Sequence, residues 1–142
     1  METSTSSYML LFRDTTPDIY AAMSPDQREQ CMLNFYRWHD GLEAAGKMGH
    51  AHPLIPAGRV VSMPRGGRIV DGPFSEAKET IGGYFLIYVS GEEEAVEIAR
   101  QCPSLQFGMT VEVRPVAAVC PLAGTSERPP VARQLESGVP SN

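Results

Sequence analysis

Only two of the 142 residues are lysine, and the chain carries a formal net charge of −5. Binding to nucleic acid draws most of its affinity from clustered Lys and Arg that neutralise phosphates, so no nucleic-acid partner is expected. Long apolar runs are missing too, and no stretch reaches the roughly 18 residues a membrane helix needs. The start METSTSSYMLLFRD has neither the charged n-region nor the long apolar h-region of a signal peptide, so the expected location is cytoplasmic, away from any membrane. Cysteine is scarce. Cys31, Cys102 and Cys120 are scattered and form no C-x-x-C pair, which argues against a disulfide framework, structural zinc or a redox motif. No cofactor is expected. What remains, 42% hydrophobic and 20% charged, is the composition of one soluble domain with a little chain to spare.

Periodicity places the elements. Tyr8 to Phe12 (YMLLF) is a short apolar run of strand length. Ser24-Pro25-Asp26-Gln27 carries a helix start, with Ser24 as N-cap, Pro25 at the first helical position and Gln27 where a capping box needs it. Cys31, Phe35, Trp38, Leu42 and Ala45 then fall within roughly 80° of one another at 100° per residue, an apolar stripe that ends at Gly46. Lys47 to Leu54, Arg59 to Met63 and Arg68 to Val70 read as extended segments joined by Pro and Gly turns. Ile81 to Val89 (IGGYFLIYV), aromatic and β-branched, reads as a central strand. Ser90-Gly91-Glu92-Glu93 has the S-x-x-E spacing of a capping box, before a short helix whose stripe is Ala95, Ile98, Ala99 and Cys102. Met109 to Val113 alternates as a last strand.

The order is the βαββαβ pattern of an α+β, ferredoxin-like domain with an extra hairpin in its middle. Two helices cover one face of such a sheet and leave the other bare, so a homodimer is expected. The chain divides into a leader (1–7), the domain (8–117) and a proline-rich C-terminal tail (118–142) with no clear periodicity.

Chemistry has several candidate carriers. The densest segment is Asp71-Gly72-Pro73-Phe74-Ser75-Glu76-Ala77-Lys78-Glu79-Thr80, a sharp turn that delivers ionisable side chains to the start of the central strand. Its Ser75-Glu76-Ala77-Lys78 matches S-x-x-K, but the S-D-N and K-T-G strings that accompany it in penicillin-binding enzymes are absent. His50-Ala51-His52 puts two imidazoles on one strand face, and lining of a cleft or interface is favoured over a metal site because no second close-spaced ligand pair exists. His39 lies at the flank of the first helix stripe, where it is a packing residue or a general base. Arg114, at a strand end, is placed to pair with Asp71 or a substrate carboxylate. An enzyme would therefore use Asp71, with His39 or His50 as base, and bind its ligand with Arg114, Tyr84, His52 and Lys78. The alternatives are a non-catalytic ligand-binding or regulatory module on the same cleft, or a structural network of Asp71, Lys78, Glu79 and Arg114.

Taken together, Tyr8-Met9-Leu10-Leu11-Phe12-Arg13, Ser24-Pro25 with Trp38, Val70-Asp71-Gly72-Pro73-Phe74, Glu76-Ala77-Lys78-Glu79, Ile81-Gly82-Gly83-Tyr84, Cys102-Pro103 and Val111-Glu112-Val113-Arg114-Pro115-Val116 resemble the YCII-related family in its DGPF branch. The resemblance covers about residues 8 to 117 and implies a ferredoxin-like dimeric α/β barrel. It also implies small lyase or dehydrochlorinase-type chemistry from a histidine and aspartate pair, the histidine on the first helix. The corresponding position here is near Phe35, with His39 one turn later. Members of the DGPF branch are associated with sigma-factor systems, which implies a ligand-sensing role as the alternative.

Overall fold

The computed structural model describes residues 5–14, 20–63, 68–72 and 80–118. Among the described residues six strands and two helices follow in the order β1 (Ser6–Asp14), α1 (Pro25–Ala44), β2 (Met48–Pro53), β3 (Gly58–Ser62), β4 (Arg68–Gly72), β5 (Thr80–Val89), α2 (Glu92–Arg100) and β6 (Thr110–Pro115), with a 3-10 turn at Leu105–Phe107. β2, β5, β1 and β6 lie side by side in that order, each antiparallel to its neighbour. That arrangement is compatible with the ferredoxin-like fold. β3 and β4 pair with each other as a separate two-stranded sheet, the extra hairpin. Among the described residues no helix is long and apolar enough to cross a membrane.

The first helix starts and stops where its sequence dictates. Ser24 Oγ accepts the Gln27 N–H at 3.2 Å and Gln27 Oε1 accepts the Ser24 N–H at 2.9 Å, so two otherwise orphaned donors are satisfied. At the other end Gly46 turns at φ 73°, and the Lys47 N–H closes back onto the Leu42 carbonyl at 2.9 Å. Cys31, Trp38 and Leu42 are buried along the stripe, while Ala45 is the exposed C-cap.

The second helix corrects one expectation. Its N-cap is Gly91, and no side chain caps it. Instead of Ser90 bonding inward, Glu94 reaches back: its carboxylate accepts the Ser90 N–H at 2.8 Å and the Lys47 ammonium at 2.7 Å. Those two bonds hold the Glu94 carboxyl below its ordinary range, the lysine contributing most. The S-x-x-E spacing fails because the reach runs from Glu94, one residue further on, toward an ion pair that ties α2 to the residue before β2.

Alternation then sorts the sheet into two faces. Leu10 and Phe12 of β1 and Phe85, Ile87 and Val89 of β5 are buried, and they form one core with Trp38 and Leu42 of α1 and Ala95, Ile98 and Ala99 of α2. Both helices therefore lie on the same face. Phe12 sits at the centre of an aromatic group, edge-on to Phe85, Phe35 and Trp38 at 4.9, 5.4 and 5.9 Å between ring centres. Each such contact adds about 0.5–1.5 kcal/mol to what burial alone contributes. The intervening residues Met9, Leu11, Arg13, Tyr84, Leu86, Tyr88, Glu112 and Arg114 occupy the opposite, open face.

Candidate functional site

At one end of the helix-covered face the packing opens into a cavity of about 770 Å³. Its apolar wall comes from Phe12, Phe85 and Ala51 on the sheet and from Met32, Phe35 and Tyr36 on α1. Its polar groups are Asp14 at the end of β1, Tyr20 from the segment before α1, Ser104 after α2, and Arg28, His39 and Asp40 on α1. This volume suits a small organic molecule, and the mostly apolar wall with a few polar groups is the usual make-up of a ligand site.

A bulge seats the acidic group. β1 and β5 run in register from Ser6↔Val89 to Phe12↔Gly83, then resume at Arg13↔Ile81, which leaves Gly82 unpaired. Such bulges bend a strand and re-aim its side chains. Asp14 lies on the helix-covered face beyond Phe12, and burial pushes its carboxyl above the ordinary value. Close by, the Tyr20 hydroxyl donates to Ser104 Oγ at 3.1 Å, and Cys31 Sγ stands 3.7 Å from the same oxygen. Burial raises the Tyr20 phenol, opposed by its bond to Ser104 and reinforced by the negative charge of Asp14. Ser104 is 1% exposed, so this cluster fixes the inner end of the cavity. The Cys102 thiol, buried nearby and pushed up to about 11, stays protonated and unreactive.

The residues singled out by sequence fall in separate places. His39 lines the cavity, half-buried, with its ring edge-on to Phe85 at 5.7 Å and its Nδ1 3.0 Å from Asp40 Oδ1. It is thus both packed and paired with a carboxylate, although Asp40 is 74% exposed. His50 and His52 lie opposite Leu86 and Tyr84, which puts both imidazoles on the open face. His50 is exposed, and His52 Nδ1 bonds the Tyr84 hydroxyl at 2.9 Å. Arg114, also on that face, donates to Glu112 at 3.2 Å; Glu112 in turn accepts from Arg13 at 2.7 Å. Asp71 pairs with Arg59 across the hairpin, but its side chain lies outside the described residues, as does all of Lys78. Of the residues named from sequence, His39 therefore joins Asp14 in the cavity and His52 borders it, while His50, Tyr84 and Arg114 do not.

Asp14, Tyr20, Ser104 and Gly82 escaped the sequence reading. Asp14 directly follows the apolar run of the first strand, and a strand ending on an acid beside a strand starting with two glycines was the available signal.

With this geometry in place, comparison with known proteins settles the relationship. The model of the YCII-related domain matches residues 7–119. The chain belongs to the YCII-related family. The match spans β1 through β6, so both the cavity and the open face are built from the YCII-related domain itself. A relative in Rhizobium meliloti (strain 1021), itself an uncharacterised protein, is 28% identical over 107 residues, covering 72% of this chain and 86% of its own.

Proposed function

We propose that this YCII-related protein binds a small, largely apolar molecule in the cavity between α1 and the sheet, with Asp14 as the acid–base group that faces it. The observation that carries this reading is the half-buried carboxyl: a strand-end aspartate raised by burial, beside a phenol and a buried hydroxyl, in an otherwise apolar cavity. A carboxyl in such surroundings exchanges a proton closer to neutral pH than an exposed one does, which is what elimination or proton-abstraction chemistry requires. His39 sits at the rim and is placed to accept the proton. Catalysis in a cytoplasmic setting on a small metabolite is the fuller form of the proposal.

A second reading is supported by Phe35. Near the position where the family resemblance implies a catalytic histidine stands this phenylalanine, packed edge-on against Phe12 and Phe85. A site with that wall suits binding without turnover, as in a ligand-sensing module.

The functional unit in either reading is a homodimer joined through the open face. Met9, Leu11 and Leu86 form its half-exposed apolar centre, Tyr88 is 38% exposed beside them, and the Arg13–Glu112–Arg114 group lies at one side. The same face of a second copy, related by a two-fold axis, would cover it.

The single tryptophan reports on the cavity, because Trp38 packs on Phe85 with ring centres 4.9 Å apart. Titration with the neutral probe N-phenyl-1-naphthylamine is expected to quench Trp38 saturably and to raise the melting temperature with concentration. Ala51→Phe, which fills the cavity and leaves Trp38 the single tryptophan, should abolish both effects. Quenching that persists unchanged in Ala51→Phe counts against the site. Turnover is tested separately, by loss of a halogenated or hydroxylated aromatic substrate with Asp14→Asn as control.

A further inference from the structure

The Asp14 carboxyl occupies space that a side chain on β5 would otherwise fill. A Cβ built on Gly82 would lie 2.7 Å from Asp14 Oδ2 and 3.6 Å from its Cγ, and the first of these is closer than real Cβ atoms come. Backbone conformation does not call for a glycine there, since the described glycines with positive φ are Gly46 and Gly108. Its neighbour is glycine for a different reason. A Cβ on Gly83 would meet the backbone carbonyl of His52 at 2.9 Å, so that position serves the close approach of β2 and β5. Of the two consecutive glycines, one admits a backbone and the other admits a carboxylate.

We propose that Gly82 is a positioning residue of the cavity: by carrying no side chain at the bulge it seats the Asp14 carboxyl inward, and so makes the site select ligands that present a hydroxyl or N–H donor over ligands that present an anion. The proposal rests on the cavity being the ligand site. An ionised Asp14 accepts hydrogen bonds and repels a second negative charge, more strongly in partly buried surroundings than in water. Protonation as pH falls ends the repulsion and admits an anion. The other titratable or charged groups around the cavity are Tyr20, then Arg28, Cys31, Tyr36, His39 and Asp40 from α1 and His52 from β2, while β5 supplies glycines and Phe85. Asp14→Asn therefore isolates the share of Asp14 from that of these groups.

Two probes with one ring system make the test: N-phenyl-1-naphthylamine, neutral with one N–H, and 8-anilinonaphthalene-1-sulfonate, which adds an anion. In the wild type at pH 7 the neutral probe is expected to bind about tenfold tighter than the sulfonate, the size of effect that one nearby like charge exerts on binding. Asp14→Asn should remove that preference. Gly82→Ala, which pushes the carboxyl outward, should weaken it and shift the pH midpoint for the sulfonate probe down toward the ordinary carboxylate range. A Gly82→Ala protein with the wild-type preference and midpoint, beside an Asp14→Asn protein that has lost them, overturns the role of Gly82. Unchanged preference in Asp14→Asn overturns the selection itself.

Melting temperatures decide the contact even where Gly82→Ala folds poorly. The loss caused by Gly82→Ala should shrink by at least half in an Asp14→Ala background, because the colliding group is gone; equal losses in both backgrounds overturn the proposal. Failure of both probes to bind the wild type would remove the cavity reading, and this melting cycle would still decide whether Gly82 makes room for Asp14.

Discussion

Phe85 and Leu86 are neighbours on the same strand, and they face opposite surroundings. Phe85 is 5% exposed and touches Phe12, Phe35 and Trp38 ring to ring. Leu86 points to the open face, half-exposed between Met9 and His50 of the flanking strands. One chain therefore completes one face of its sheet and leaves the other unfinished. The difference locates the two kinds of function proposed here, a small-molecule site where the completed face opens into a cavity and association with a second copy where the face is bare.

The largest expected effect breaks the completed face. Phe85→Ala removes a ring that touches Phe12, Phe35 and Trp38 and should cost about 3–5 kcal/mol, measured by urea unfolding. Leu86→Ala at low protein concentration should cost about 1 kcal/mol or less, as expected for a half-exposed side chain. Equal losses at the two positions would erase the distinction between the faces. Next in size is association. The wild type is expected to run as a dimer in light scattering, and Leu86→Arg, which sets a charge on the face on the same side as Arg114, should run as a monomer that remains folded. A dimer that survives Leu86→Arg places the contact elsewhere.

The sequence displayed the two faces but not their relation to the candidate residues. Ser24, Gly46 and the apolar stripe between them mark α1 because capping and the 3.6-residue period are local properties. The α+β class, with both helices on one face, followed from the order of elements along the chain. The sorting of His39, His50, His52, Tyr84 and Arg114 between faces depends on strand register, where a shift of one residue exchanges inside and outside. β2 contains such a shift between Met48 and His50, and β1 pairs with β5 across another at Gly82. The shift in β2 decides that both its histidines turn outward, and no short pattern in the chain announces it; Asp14 turns inward by the unbroken alternation Leu10, Phe12, Asp14, and the shift at Gly82 sets a glycine beside it. The capping box expected at Ser90 failed for a similar reason. Lys47, distant in sequence, captured Glu94 and changed which group reached back.

A third expectation sharpens the comparison through stability. Asp14 has a raised folded-state value, so the folded chain holds the proton more tightly than the unfolded one does. Its contribution is fully present below the unfolded value and is lost as pH rises through the folded value. Asp14→Asn should therefore melt higher than the wild type at neutral pH, and the advantage should fade in acid, where both side chains are uncharged. A functional group that costs stability is the ordinary pattern at sites selected for activity. If Asp14→Asn melts lower at neutral pH, the carboxylate is holding the fold together and the cavity reading weakens.

The smallest effect belongs to the open face and carries the opposite sign. Glu112 accepts from Arg13 and Arg114, and these bonds, that of Arg13 first, hold its carboxyl below the ordinary range. A depressed carboxyl contributes stability above its unfolded value and loses it as pH falls through the folded value. Glu112→Gln should therefore melt slightly lower than the wild type at neutral pH, converge with it in acid, and lose the difference in high salt, because exposed pairs are screened. The salt response distinguishes the two carboxyls further: the Asp14→Asn advantage comes from burial and should persist where the Glu112→Gln deficit disappears. Should the Glu112 deficit instead grow with protein concentration, the ion group is part of the dimer contact, since only an interface term depends on how many copies are present.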